Sequence, residues 1–212
     1  VLHGFLLSGG VYQTVDKPGA LQTLPLGINS AGQIVGGYTD ERGGARGFVL
    51  SSGIYQAVAV PGAEDSTLPW GINDAGQVVG YYRKDGFSPL GFLFSGGNYT
   101  TFSVPGSIFG TVARGINSQG DIAGDYFGGH GFVLSGGNYN RFDEPGGFYT
   151  EVYGINDAGQ IVGDDGKGGF VATPAVPEPA SLLMCLIGAL GLLGYRLFLS
   201  YRPLSMASMF IS

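Results

Sequence analysis

The triplet Gly-Ile-Asn occurs four times, beginning at Gly27, Gly71, Gly115 and Gly154 with spacings of 44, 44 and 39 residues. Each copy runs on in the same way: Asn29-Ser-Ala-Gly-Gln-Ile-Val-Gly36, Asn73-Asp-Ala-Gly-Gln-Val-Val-Gly80, Asn117-Ser-Gln-Gly-Asp-Ile-Ala-Gly124 and Asn156-Asp-Ala-Gly-Gln-Ile-Val-Gly163. A second block alternates with it. Gly-Phe opens that block at Gly4, Gly47, Gly91, Gly131 and, incompletely, Gly169; four copies pass through Tyr12, Tyr55, Tyr99 or Tyr139 and end on Pro18-Gly19, Pro61-Gly62, Pro105-Gly106 or Pro145-Gly146. A period of this length means that one supersecondary unit is copied along the chain. Such a unit cannot bury its apolar surface alone, so neighbours must stack.

Each block reads as a β-hairpin. In the first, Asn-x-x-Gly lies between apolar pairs, the chemistry of a type I turn closed by a left-handed residue. The turn residues are Asn29 and Gly32, Asn73 and Gly76, Asn117 and Gly120, Asn156 and Gly159. The Asn side chain can bond the turn's own backbone. In the second block Gly9-Gly10, Ser52-Gly53, Gly96-Gly97 and Gly136-Gly137 divide two apolar runs, as a tight hairpin requires. Two hairpins per period give about four strands, the content of a propeller blade. The fold class expected for residues 1–173 is therefore all-β, a β-propeller-like array of about four four-stranded repeats. A β-solenoid and a stacked β-sandwich are the alternatives. Gly169–Thr173 is left over, so the array reads as a four-bladed ring with a redundant strand or as a piece of a larger ring.

The chain opens at Val1 inside a repeat, without Met or a signal peptide, so an upstream export signal is expected beyond it. Gly makes up 41 of 212 residues, without a three-residue period, which excludes collagen. Only 12% of residues are charged and 44% are hydrophobic, which argues against disorder. Sixteen acids against eight bases up to Glu178 leave that stretch at −8. No basic patch offers itself to phosphates, so nucleic acid is not an expected partner. The lone cysteine, Cys185, allows no intrachain disulfide.

Chemistry is sparse. The two histidines, His3 and His130, hold equivalent repeat positions and read as structural. Asp74 and Asp157 in the turns invite a calcium reading, but Ser30 and Ser118 fill the same place in the other copies, and a turn role is preferred. Trp70 and exposed Tyr could stack on sugars, although repeated strand Tyr read first as core. No catalytic, cofactor or metal residue is expected, and the chain reads as no enzyme.

Beyond the repeats, residues 174–179 are Pro-Ala-Val-Pro-Glu-Pro, an extended linker. Ala180 to Tyr195 carries no charge, and with Arg196 snorkelling the span 180–199 reads as a single C-terminal transmembrane helix. Residues 200–212 form a short tail. Arg196 and Arg202 flank the span and would hold that end in the cytoplasm, with the repeat domain outside.

The alternation His-Gly-Phe … Pro-Gly … Gly-Ile-Asn-x-x-Gly-Gln-Ile-Val-Gly resembles the HAF family of extracellular repeats over about residues 3–173. Its naming block appears as His3-Gly4-Phe5 and His130-Gly131-Phe132, and departs further at Arg46, Leu90 and Gly168. The resemblance implies export and fold and carries no established activity. Pro177-Glu178-Pro179, then the apolar run, then Arg196 resembles the PEP-CTERM sorting signal of about residues 176–196. It implies recognition and cleavage near Pro177, Glu178 and Pro179 by an exosortase, and sorting to the surface of a Gram-negative bacterium that makes exopolysaccharide. The split arginines and the apolar tail to Ser212 depart from that pattern. Together these features imply a secreted or cell-surface protein, transiently anchored in the inner membrane, with a non-catalytic binding or structural role near exopolysaccharide and a polysaccharide or surface protein as partner. A propeller enzyme acting on surface glycans and an inert spacer are the alternatives. Paired carboxylates in a central channel would favour the enzyme.

Overall fold

The computed structural model describes residues 2–173 except 64, 65, 85–87 and 127. They belong to a compact unit, Val1–Pro174. The linker at 174–179, the expected helix at 180–199, the tail, Cys185, Pro177, Glu178, Pro179, Arg196 and Arg202 lie outside the described residues.

The described residues are all-β, with seventeen strands and no α-helix. A two-stranded hairpin comes first, β1 (Gly4–Ser8) with β2 (Val11–Val15). Three four-stranded antiparallel sheets follow. The first holds β3 (Gln22–Ile28), β4 (Ile34–Thr39), β5 (Ala45–Ser51) and β6 (Ile54–Val58). The second holds β7 (Thr67–Ile72), β8 (Val78–Tyr82), β9 (Leu90–Ser95) and β10 (Asn98–Phe102). The third holds β11 (Thr111–Ile116), β12 (Ile122–Tyr126), β13 (His130–Ser135) and β14 (Asn138–Phe142). The last sheet has three strands, β15 (Glu151–Ile155), β16 (Ile161–Asp164) and β17 (Gly169–Ala172). These four sheets are meanders stacked in sequence like the blades of a propeller, with β7, β11 and β15 each packed on the preceding sheet.

One expectation is corrected by the pairing. Each sheet joins a Gly-Ile-Asn hairpin to the Gly-Phe hairpin that follows it, so β1–β2 stands as a separate sheet and Gly169–Ala172 is not left over. It is hydrogen-bonded to β16 as the third strand of the last sheet. The physical reason is chain economy: the connection from β4 to β5 is a tight turn closed by Gly43 (Gly43 N–H to Asp40 O, 2.9 Å), whereas Pro-Gly breaks the strand that precedes each new sheet.

Turn chemistry explains the hairpins. Gly32, Gly76, Gly120 and Gly159 all take φ between 73° and 84°, a conformation that costs other residues steric strain. Each N–H donates to the carbonyl of the Asn three residues earlier at 3.0–3.1 Å. The second hairpins turn on two successive left-handed residues, Gly9-Gly10, Ser52-Gly53, Gly96-Gly97 and Gly136-Gly137, as a type I′ turn demands. Each Pro-Gly corner places its Gly at φ 77–80°.

Packing repeats as faithfully as the turns. Phe48, Phe92 and Phe132 are fully buried, and Tyr55, Tyr99 and Tyr139 lie against them with ring centroids 5.2, 5.9 and 6.0 Å apart. Their counterpart Tyr12, on the two-stranded hairpin, is 69% exposed, although Val15 of that hairpin is buried against Ile34 and Phe48. A buried Thr at or beside the start of the first strand of each of these four sheets (β3, β7, β11 and β15, the inner strands) latches the Pro-Gly corner before it: the N–H groups of Lys17, Val60, Val104 and Glu144 donate to the hydroxyls of Thr23, Thr67, Thr111 and Thr150 at 2.8–3.0 Å.

Candidate functional site

The inner strands meet at the Gly of Gly-Ile-Asn. A Cβ on Gly71 would lie 2.8 Å from the Arg114 carbonyl, and one on Gly115 would lie 2.9 Å from the Gly154 Cα. Only a residue without a side chain permits this approach between repeats.

The approach is secured by a ladder of asparagines. Asn29 Nδ2 donates to the Asn73 carbonyl (3.1 Å), Asn73 Nδ2 to that of Asn117 (3.0 Å), and Asn117 Nδ2 to that of Asn156 (3.4 Å). Within its own turn each Asn Oδ1 accepts the N–H four residues on, at Gln33, Gln77, Asp121 and Gln160. So the turn residues Asn29, Asn73 and Asn117 do two jobs, and Asn156 does the local one. The residue after each Asn also reaches across. Ser30 N–H and Oγ–H donate to the two carboxylate oxygens of Asp74, both at 2.8 Å, and Ser118 N–H donates to Asp157 at 2.8 Å. The Ser30 amide holds the Asp74 carboxyl below the ordinary carboxylate range. The alternation of Ser and Asp in this column is thus a pairing between neighbours.

Every inner strand carries a β-bulge just before that Gly, where pairing skips Leu26, Trp70, Arg114 or Tyr153. A bulge re-aims the side chain it displaces. This column holds Leu, Trp, Arg and Tyr, while the Gly-Ile-Asn that follows it is identical in all four copies. Scaffold positions are held alike by packing, so the divergent column is the candidate functional site.

Arg114 is its centre. Its side chain is 12% exposed, and the guanidinium carbon lies 4.5 Å from the Trp70 ring centroid and 5.9 Å from that of Tyr153. Its Nε donates to Asp125 Oδ1 and its Nη2 to Glu151 Oε1, each at 2.6 Å. Burial pushes the Asp125 carboxyl up, and Arg114 offsets part of that. Tyr149 donates its hydroxyl to Asp164 at 2.8 Å, and this bond raises the phenol's pKa. Burial raises that of Tyr153, followed by the negative charges of Glu151 and Asp164. Two carboxylates do gather beside β11, and one arginine bonds to both, so the three ionised groups keep one net negative charge.

Sequence reasoning missed Arg114, Asp125, Glu151 and the Trp70 stack. The signal was available: alignment of the four copies isolates the column Leu26, Trp70, Arg114, Tyr153. The histidines lie elsewhere, on the Gly-Phe hairpins. His3 Nδ1 meets Asp16 at 2.7 Å and His130 Nδ1 meets Asp143 at 2.7 Å, thirteen residues on in both cases. Among the described residues no group of three or more His, Cys, Asp or Glu could hold a metal ion.

Fold and site define an all-β, propeller-like repeat protein. The PEP-CTERM protein-sorting motif matches residues 175–202, directly after the repeat unit. That motif implies an exported, cell-surface protein processed by exosortase. No curated protein matches the chain. Among solved structures the chain is similar to a triple arginine-to-alanine mutant of AofleA from Arthrobotrys oligospora, at 14% identity, over 77% of this chain and 61% of that one, with a TM-score of 0.38. The chain therefore spans about three-fifths of that protein's length.

Proposed function

We propose that this is an exosortase-sorted surface protein whose HAF-like repeat domain, residues 1–173, is a non-catalytic module that binds exopolysaccharide outside the cell. The sorting match at 175–202 carries the reading. Residues 174–179 serve as the linker with the cleavage motif, and 180–199 as a transient inner-membrane helix, with Arg196 and Arg202 on the cytoplasmic side and 200–212 as its tail. The non-catalytic part is supported by the Arg114 bridge, which bonds to one oxygen of Asp125 and one of Glu151 and favours the charged form of both.

Changing Pro177, Glu178 and Pro179 together to Ala tests the sorting. In a host with exosortase the variant is expected to stay at full mass in the membrane fraction while the parent chain is shortened and leaves it. Equal shortening of both chains would overturn the reading. The same carboxylate pair is the one observation favouring a glycan-cleaving enzyme, and release of new reducing ends from a host polysaccharide, lost in Glu151→Gln, would establish that alternative.

A further inference from the structure

A cleft of about 410 Å³ opens beside the third four-stranded sheet, bounded by the loops that lead into β9, β11, β13 and β15. Its lining includes Phe109, Tyr126 and Tyr149, with Pro89 at one side and Asp125 among the lining groups. Phe109 and Tyr149 are 50% and 40% exposed. The volume falls at the small end of the roughly 300–1,000 Å³ typical of ligand sites.

The lining chemistry restricts the occupant. Among the described residues Asp125 is the one charged group lining the cleft, and its Oδ1 is already bonded to Arg114. Arg114 is shared with Glu151, so the three groups together keep one net negative charge, which turns an anion away, and among the described residues no group of three or more metal-ligating side chains offers a metal ion a seat. The pair still offers carboxylate lone pairs to hydroxyl donors, and such charge-assisted bonds are strong for their size. Phe109 and Tyr149 supply flat apolar walls at low entropic cost, and Tyr126, stacked on His130 with ring centroids 5.2 Å apart, backs them. Flat, apolar on its C–H faces, uncharged and rich in hydroxyls describes a pyranose. The last sheet has Asp164 at the position of Asp125, where it accepts the Tyr149 hydroxyl, and the first two sheets have no acid there. The position of Asp125 is Gly37 in the first four-stranded sheet and Tyr81 in the second, each paired in register with its inner strand at the matching place.

We infer that the cleft bounded by Phe109, Tyr126, Tyr149 and Asp125 binds a neutral pyranose unit of a polysaccharide. This rests on the exopolysaccharide reading above and gives it a place and a charge class. Trp70, the chain's only tryptophan, stacks on Arg114 and so reports on Asp125.

The full chain, held in a zwitterionic detergent without a sugar headgroup, is titrated with neutral gluco-, manno-, galacto- and N-acetylglucosamine oligosaccharides and with anionic uronate oligosaccharides. Trp70 fluorescence and saturation-transfer NMR follow binding. A saturable response to a neutral oligosaccharide is expected, weakened about fivefold to tenfold by Phe109→Ala and by Tyr149→Ala. Phe109→Tyr should restore it, which separates loss of the ring from loss of the fold. Neutral binding that both alanine variants leave intact would overturn the cleft and spare the exopolysaccharide reading. Binding of uronates alone would overturn the charge class. No response to any glycan by either readout would sink both the cleft and the exopolysaccharide reading, leaving the sorting untouched.

Discussion

Replacing Asn73 by Ala isolates what holds one repeat to the next. Its amide makes three bonds: donation to the Asn117 carbonyl at 3.0 Å and to Gln77 Oε1 at 2.8 Å, and acceptance from Gln77 N–H at 3.0 Å. The residue is buried, so the deserted partners are slow to regain water. At about 1 kcal/mol net per bond, with a further penalty for a buried group left unpaired, the loss comes to about 3–4 kcal/mol. Asn156 is the internal control. It keeps the same local bonds to Gln160 but is exposed and has no bond to a following repeat among the described residues. Asn156→Ala should therefore cost about 1 kcal/mol or less. Asn73→Asp should fall near the alanine variant, because it keeps an acceptor for Gln77 and loses the donor. Urea unfolding followed by Trp70 fluorescence and circular dichroism measures all three. Equal losses at Asn73 and Asn156 would refute the inter-repeat role of the ladder.

Gly71→Ala should cost at least about 2 kcal/mol, read in the same unfolding assay, because its Cβ meets backbone 2.8 Å away that cannot move without parting two sheets. Arg114→Leu removes the partner of a buried carboxylate and should cost about 3–5 kcal/mol, and adding Asp125→Leu should recover part of it in a double-mutant cycle. Asp74 has its folded pKa lowered, so its contribution is present above the ordinary carboxylate pKa of 3.8 and is lost as pH falls through the lowered value. The Ser30 amide should exchange faster across that acid window in the parent chain and show no such pH step in Asp74→Asn. Asp125 has the opposite sign: its raised pKa means that ionisation costs stability as pH climbs from 3.8 through the folded value, a trend that Asp125→Asn should remove from the unfolding curves.

Hairpins were legible in the sequence because their causes are local. Asn-x-x-Gly and Gly-Gly state their own φ angles, and the structure puts Gly32, Gly76, Gly120 and Gly159 in the left-handed region. Membership of the sheets was less legible. Whether a Gly-Phe hairpin joins the Gly-Ile-Asn hairpin before or after it depends on which connection stays tight, and counting blocks left Gly169–Ala172 without a sheet. The second bond of each Asn was hidden for the same reason, since its acceptor lies 44 or 39 residues away in another copy. Arg114, Asp125 and Glu151 converge only once the bulge has turned Arg114 and the stack has brought β15 alongside. The tyrosines divide between the two readings the sequence offered: Tyr55, Tyr99 and Tyr139 pack on buried Phe, while Tyr12 is exposed.

Fold, ladder and cleft all require that each sheet be stabilised by its neighbours more than by itself. Hydrogen–deuterium exchange, resolved by residue, measures this directly. Amides of β8, β11 and β12, which lie between sheets and include fully buried Val79, Ala113 and Ala123, should be the most protected, and those of the lone β1–β2 hairpin the least. Uniform protection across all the hairpins, or slower exchange in β1–β2 than in β11, would contradict stacking as the source of stability.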